Sequence, residues 1–235
     1  LGFITLGLLL EKICGAPIDE LAAREIFRPL KLERTFFKPE RAFLTGTAAC
    51  ELAGNAYERG MCEAQEEEER PGETEARAES ASGAWREELI WGEVHDGNAY
   101  FLGGAAGHAG LFSNARETLR LAEQFIAART ELLAPETCTL FRTNMTPRLD
   151  EARSFAWQLA ATPDSTAGVA LPPDSFGHLG FTGTSCWIDA AHERVLILLT
   201  NRTHTRTLPF VNINGVRRQF HTLAVAALER GSEAG

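Results

Sequence analysis

The sequence predicts a layered α/β (α+β) domain in which helices flank an antiparallel sheet. Three observations predict it. Residues 1–30 carry apolar side chains at helical spacing, the last third breaks into short strand-like runs, and a final stretch with one apolar side closes the chain.

From Gly2 to Cys14 the apolar residues are nearly continuous; Gly15 is placed to end that helix and Pro17 to start the next. The run Leu1 to Leu10 is too short to span a bilayer, meets Glu11 and Lys12 at once, and lacks the flanks of a signal peptide. A buried helix is therefore expected. In the second helix, about Pro17 to Leu30, Ile18, Leu21, Ala22, Ile26 and Phe27 recur at three- and four-residue spacings, with Asp19 and Glu20 in the anion-favouring first turn.

Between about residues 59 and 88 the composition changes to Glu66-Glu67-Glu68-Glu69, then Arg70-Pro71-Gly72 and a string of Glu, Ala, Arg and Ser. Such a stretch cannot bury enough apolar surface to offset its ordering entropy, so a mobile acidic insert is expected. Glycine-rich loops follow, holding His95-Asp96-Gly97 and Gly107-His108-Ala109-Gly110. Asn114, with Glu117 three residues on, marks a capping box for a helix striped by Leu119, Leu121, Ala122, Phe125 and Ile126, and a shorter helix is expected after Pro135.

Strands are expected over Phe155 to Ala160, Ser175 to Phe181, Thr184 to Ala190 and Arg194 to Thr200, the last two joined by a short hairpin at Ala191-His192-Glu193. The unbroken run Val195 to Leu199 reads as a central strand covered on both faces. A closing helix from about Asn214 to Arg230 carries Val216, Phe220, Leu223, Ala224 and Ala227 on one side.

The 235 residues are 44% hydrophobic and 23% charged, with 23 basic and 32 acidic side chains and a net charge of -9. That balance gives no general attraction to nucleic acid or anionic membrane and suits a neutral or cationic ligand. The five cysteines form no CxxC pair, which argues against a zinc ribbon. Neither Gly-x-Ser-x-Gly nor His-Glu-x-x-His occurs. A mononuclear metal set of His95, Asp96, His108 and His178 is required by no spacing; no metal or cofactor is expected.

The strongest cluster is Gly177-His178-Leu179-Gly180-Phe181-Thr182-Gly183-Thr184-Ser185. Gly180 and Gly183 leave the main chain open to close approach, His178 brings a side chain that titrates near neutrality, and three hydroxyls add hydrogen-bonding capacity. A glycine-bearing hairpin or strand bend with an incidental surface histidine reads the same residues differently.

Continued through Trp187-Ile188-Asp189 and Val195 to Asn201, this string resembles the third active-site motif and sheet of class C β-lactamase-related serine hydrolases. That family includes low-molecular-weight penicillin-binding proteins and related esterases. Val94 to Ala99, Ala106 to Ser113 and Leu1-Gly2-Phe3 are similar to segments of one of its subgroups. The resemblance implies a penicillin-recognising fold with a Ser-x-x-Lys nucleophile, a Tyr-x-Asn-like second motif and a Lys-Thr-Gly third motif. His178-Leu179-Gly180 falls in the place of the last, and Leu179 removes its hydroxyl. By the same resemblance Phe181 N–H is half of an oxyanion hole, His178 stands beside the nucleophile, and Gly180, Thr182 and Gly183 align the substrate. His95, Asp96 and His108 are expected in loops of the cleft or as pins of those loops.

No Ser-x-x-Lys and no Tyr-x-Asn occurs; Thr35-Phe36-Phe37-Lys38 has a similar shape, but Pro39 disfavours its helical turn. In the family the second motif precedes a segment like Leu1-Gly2-Phe3. The expectation is the C-terminal portion of one such domain over residues 1–235, lacking its N-terminal partner segment and inactive alone. Its substrate would be a small ester or amide, or a peptidoglycan-like D-Ala peptide. A non-catalytic binding module on the same scaffold is the other reading.

Overall fold

The computed structural model describes residues 1–69, 85–205 and 208–233. They gather into two units. The first comprises Leu1–Phe27, Thr35–Phe112 and Asn201–Val211, the second Arg28–Arg34, Ser113–Thr200 and Asn212–Gly235.

The first unit opens with α1 (Gly2–Cys14), which ends where Gly15 turns left-handed (φ 65°) and its N–H bonds Glu11 O at 2.9 Å. This helix is not the buried one expected. Gly7 is its one buried residue, while Leu8, Leu9 and Ile13 are 49%, 51% and 70% exposed. A helix apolar all round presents more surface than one contact covers. A close approach is at Gly7, where a Cβ would stand 3.1 Å from Gly107 N, and α1 also packs against the helix that follows it. Next, α2 (Ile18–Ala22) continues as a π-helical turn and stops at Phe27, short of Leu30, with Leu21 and Phe27 buried.

After β1 (Phe36–Phe37) comes α3 (Ala56–Glu69). The start of the segment expected to be mobile is therefore helical, and residues 70–84 lie outside the described residues. Local chemistry accounts for the helix: strong helix formers fill it, Glu51 Oε1 accepts the Tyr57 N–H at 3.0 Å, and Arg59 faces Glu63 one turn on. The short α4 (Gly97–Phe101) follows, and then β2 (Leu111–Phe112), antiparallel to β1 with Phe36 opposite Phe112.

The second unit begins with α5 (Ala115–Ala122), capped by Asn114 Oδ1, which accepts the Glu117 N–H at 3.0 Å. The expected capping box is only half made. The Glu117 carboxylate instead accepts the N–H groups of Glu33 and Arg34 at 2.9 to 3.1 Å, orphan donors that compete for it. Pro135–Phe141 is a tighter 3-10 helix.

Strands β3 (Gln158–Leu159), β4 (Phe176–Leu179), β5 (Ser185–Asp189) and β6 (Arg194–Leu198) form one antiparallel sheet in chain order. On one face Leu159, Phe176 and Ile188 pack with Ala122, Ile126 and Phe141; on the other Trp187 and Leu196 pack with Val225 of α6 (Asn214–Glu233). Both cores are layers of alternating strand residues.

Two expectations change here. Val195 to Leu199 does not form a central strand: β6 ends the sheet among the described residues, and Leu199 is 49% exposed. An apolar run reports coverage of the two faces and says nothing of a lateral neighbour. In α6 the buried stripe is Arg217, His221 and Val225 at four-residue spacing, whereas Val216 and Leu223 are exposed.

Candidate active site

Period-two burial sets the orientation of the motif strand. Phe176 is fully buried, His178 two residues on lies on the same face but exposed, and Cys186 stands opposite His178 on β5. His178 Nδ1 lies 2.9 Å from Leu179 O; a carbonyl only accepts, so Nδ1 carries the proton and Nε2 is left to face outward partners. The neighbouring thiol is no substitute nucleophile. Burial pushes the pKa of Cys186 up to about 12, and the thiolate, not the thiol, attacks.

β4 and β5 are joined by a tight turn in which Gly180 N–H bonds Thr184 O at 2.9 Å and Gly183 N–H bonds Gly180 O at 3.0 Å. Phe181 and Thr182 are its central residues, and Phe181 is 43% exposed. The glycines are required by packing. A Cβ on Gly180 would meet Thr184 Oγ1 at 2.1 Å, and one on Gly183 (φ 106°) would meet Thr200 Oγ1 at 2.2 Å. Close approach by the protein itself thus accounts for both glycines.

The sequence reading missed what holds this turn. Arg217, 5% exposed, donates Nη2–H to Gly180 O at 2.7 Å and Thr184 O at 3.0 Å, and Nε–H to Gly183 O at 3.2 Å. Asn214 Oδ1 accepts from Nη1 at 2.9 Å, which orients the guanidinium. A planar fork of donors suits three converging carbonyls in a way that an ammonium does not. The signal was present as the four-residue spacing of Arg217, His221 and Val225, but polar types on a buried stripe read as its exposed side.

Ser185, expected to offer its hydroxyl to a ligand, is buried and faces inward, with Oγ 3.1 Å from His221 Nε2. Burial pushes His221 below its ordinary pKa, and the Thr166 carbonyl at 2.7 Å from Nδ1 opposes that push. The turn thus rests on a neutral, fully bonded imidazole.

His95, Asp96 and His108 belong to the other unit. His95 is buried, with Nε2 2.9 Å from Glu51 Oε2, and its carbonyl accepts from Arg86 Nη2 at 2.7 Å and Asn55 Nδ2 at 3.1 Å. Asp96 caps α4 by accepting the Ala99 N–H at 2.8 Å, and the same oxygen lies 2.9 Å from His108 Nε2. These bonds fasten the glycine loops. Among the described residues no three His, Cys, Asp or Glu side chains are grouped to hold a metal ion, and no helix is long and apolar enough to cross a membrane. Nor do Thr35 and Lys38 form a nucleophile and base. The residues between them are the strand β1, and Lys38 Nζ pairs with Asp19 at 2.5 Å.

A family model described as Beta-lactamase matches residues 1–215. A protein of Escherichia coli (strain K12), named as a candidate D-alanyl-D-alanine carboxypeptidase, is 30% identical over 215 residues, 86% of this chain and 44% of its own length. A Salmonella newport (strain SL254) protein of the same name is 30% identical over 222 residues, 90% of this chain and 46% of its own. The chain thus spans less than half the length of either relative. Among solved structures, an Aspergillus terreus simvastatin synthase variant superposes with a TM-score of 0.63 at 15% identity, over 97% of this chain and 54% of its own. A Mycobacterium bovis β-lactamase does so at 0.60 and 12%, over 96% and 62%. The solved structures share the fold, the family model covers most of the chain, and the chain belongs to the β-lactamase family.

Proposed function

We propose that this chain forms the substrate-aligning, oxyanion-side part of an acyl-serine hydrolase, and that a segment outside this sequence brings the serine and its lysine base. The observation that carries the reading is the β4–β5 hairpin, with His178 exposed on the motif strand and Phe181 in a turn clamped by Arg217. In the complete enzyme a serine hydroxyl attacks an ester, amide or D-Ala-type peptide carbonyl. The Phe181 N–H and the serine's own N–H hold the negative charge that develops on the carbonyl oxygen, and water then hydrolyses the acyl-serine. His178 Nε2 supplies a hydrogen bond beside the reacting centre. Gly180, Thr182 and Gly183 form the turn at the end of β4, where an extended substrate aligned on that strand would meet the oxyanion donor.

Two features support the missing-segment part of the proposal. Much of the apolar surface of α1 is exposed, and β6 has no strand on its outer side among the described residues; an edge strand with an apolar run is a template for pairing. The names of the curated relatives favour a D-Ala-terminated peptide over the other acyl groups.

The test is hydrolysis of nitrocefin, a p-nitrophenyl ester and a D-Ala-D-Ala peptide by the purified chain, alone and with a family segment bearing Ser-x-x-Lys and Tyr-x-Asn added or fused. No turnover is expected alone. Turnover is expected on completion and should be lost in His178→Ala. Turnover by the isolated chain that vanishes in that variant would overturn the division of labour.

A further inference from the structure

The peptide unit between Gly180 and Phe181 connects the Arg217 clamp to the N–H that Phe181 presents. Gly180 C=O and Phe181 N–H belong to one planar trans unit, so they point in opposite directions. Gly180 O accepts the Gly183 N–H at 3.0 Å, which closes the turn, and Arg217 Nη2–H at 2.7 Å. Both lone pairs of that oxygen are thereby engaged, and the plane of the unit is held from its inner side. Phe181 N–H is left aimed away from the guanidinium. We infer that Arg217 is a positioning residue for acylation, which orients and polarises the Gly180–Phe181 peptide so that Phe181 N–H becomes a stronger donor to developing negative charge. This role rests on the acyl-serine hydrolase reading for what that N–H binds.

Charge separates polarisation from simple bracing. A hydrogen bond accepted by a carbonyl draws electron density from the nitrogen of the same peptide, and an ionised donor draws more than a neutral one. Arg217 carries a fixed positive charge, and its acceptors at Gly180, Gly183, Thr184 and Asn214 are uncharged oxygens. The bond to Gly180 O is the shortest of these four. Arg217 is also 5% exposed, so water screens its field little on the way to the peptide.

Helix α6 delivers the guanidinium to this place. Arg217 N–H bonds Ile213 O at 3.0 Å in the first turn of the helix, and Asn214 Oδ1 aims the fork. Four residues on, His221 ties α6 to Ser185 at the start of β5. The neck of the hairpin is bonded as well, Gly180 N–H to Thr184 O at 2.9 Å, so the peptide cannot tilt without breaking bonds on both sides of it. A donor fixed before the substrate arrives needs no reorganisation when charge develops, which is the condition for oxyanion stabilisation.

NMR of the 235-residue chain tests the polarisation directly, because an amide nitrogen responds to hydrogen bonding at the carbonyl of its own peptide. The native chain should show a scalar coupling between the Arg217 guanidinium nitrogen and the Gly180 carbonyl carbon. The Phe181 ¹⁵N resonance should move upfield in Arg217→Gln, which removes the charge, and less far in Arg217→Lys, which keeps it on a single donor. Val225→Ala is the control: it opens a cavity on the same buried stripe of α6 and loosens the helix without touching the turn, so Phe181 should stay in place. No coupling, an unmoved Phe181 in both Arg217 variants, or the same movement in Val225→Ala would each overturn the inference, and the coupling and the lysine variant decide it if the glutamine variant does not fold.

In the chain completed with a family segment bearing Ser-x-x-Lys and Tyr-x-Asn, Arg217→Gln should lower kcat for the p-nitrophenyl ester about tenfold, a weakened donor costing less than a deleted one, with KM changed less than about twofold. Val225→Ala should keep its kcat. An equal fall in Val225→Ala, or a change in Arg217→Gln confined to KM, would reduce Arg217 to a brace. Absence of turnover in the completed native enzyme counts against the hydrolase reading, whereas the coupling and the Phe181 shift need no acylation and report on the polarisation alone.

Discussion

Ser185 Oγ lies 3.1 Å from His221 Nε2, and both residues are buried. On paper the pair resembles the nucleophile and base of a hydrolase. With His221 fully buried and its Nδ1 2.7 Å from the Thr166 carbonyl, no substrate reaches it. The carbonyl fixes the proton on Nδ1, so Nε2 accepts from the serine hydroxyl. The pair ties the first residue of β5 to α6, just after the turn that carries Phe181.

That pair makes stability depend on pH with a definite sign. Burial, and secondarily the charge of Arg217, lower the folded-state pKa of His221 below its ordinary 6.5. The unfolded chain therefore binds the proton more readily. The contribution of this group is complete above about 6.5 and is lost as pH falls from there toward the folded value. Thermal melts between pH 8 and 5 are expected to fall more steeply for the native chain than for His221→Gln, which cannot titrate. Parallel curves would show that His221 carries none of the dependence.

Arg217→Ala removes the donor shared by Gly180 O, Gly183 O and Thr184 O. Gly180 O keeps the Gly183 N–H and Thr184 O keeps the Gly180 N–H, so the cost falls on Gly183 O and on two lost charge-assisted bonds, and a total loss of about 2–3 kcal/mol is expected. Arg217→Lys should recover less than half, since a point charge cannot span three acceptors. Urea unfolding measures the loss, and amide exchange at Gly180 and Gly183 should accelerate with it. A loss under about 1 kcal/mol would mean that the turn holds itself without the clamp.

The β4–β5 hairpin was legible because period-two alternation and paired glycines are local signals, and the ends of α1 and α6 because Gly15 and Asn214 punctuate them. Arg217 and His221 were not, because patterning assigns polar residues to the solvent side and cannot see that three carbonyls and a serine await them. The lateral position of β6 was hidden for a related reason: Val195 to Leu198 reads the same in the middle of a sheet as at its end. In α3, helix propensity and a single carboxylate at Tyr57 N–H outweighed a composition that suggested disorder.

Gly183→Ala tests the close approach at the turn. The residue sits at φ 106°, and a Cβ would meet Thr200 Oγ1 at 2.2 Å and Ile213 Cδ1 at 2.9 Å. Strain of the backbone and the clash together are expected to cost about 2–4 kcal/mol. Gly46→Ala is the control, because nothing lies within 4 Å of its Cβ and its φ is ordinary. A chemical-denaturation midpoint unchanged in both variants would remove packing as the reason for Gly183.

The loop residues of the other unit distinguish fastening from chemistry. Asp96 Oδ1 serves two partners, the Ala99 N–H at 2.8 Å and His108 Nε2 at 2.9 Å. Asp96→Ala therefore loses a helix cap and is expected to cost about 1–2 kcal/mol. His108→Ala loses only a part-exposed pair and should cost under about 1 kcal/mol. Because one oxygen takes part in both bonds, the double variant should fall short of the sum by about 0.5 kcal/mol. If the residues served catalysis instead, the single variants would unfold like the native chain, and in a completed enzyme they would lower kcat without moving the unfolding midpoint. Fastening predicts the opposite order: the unfolding midpoint moves first, and turnover falls only as the loop loosens.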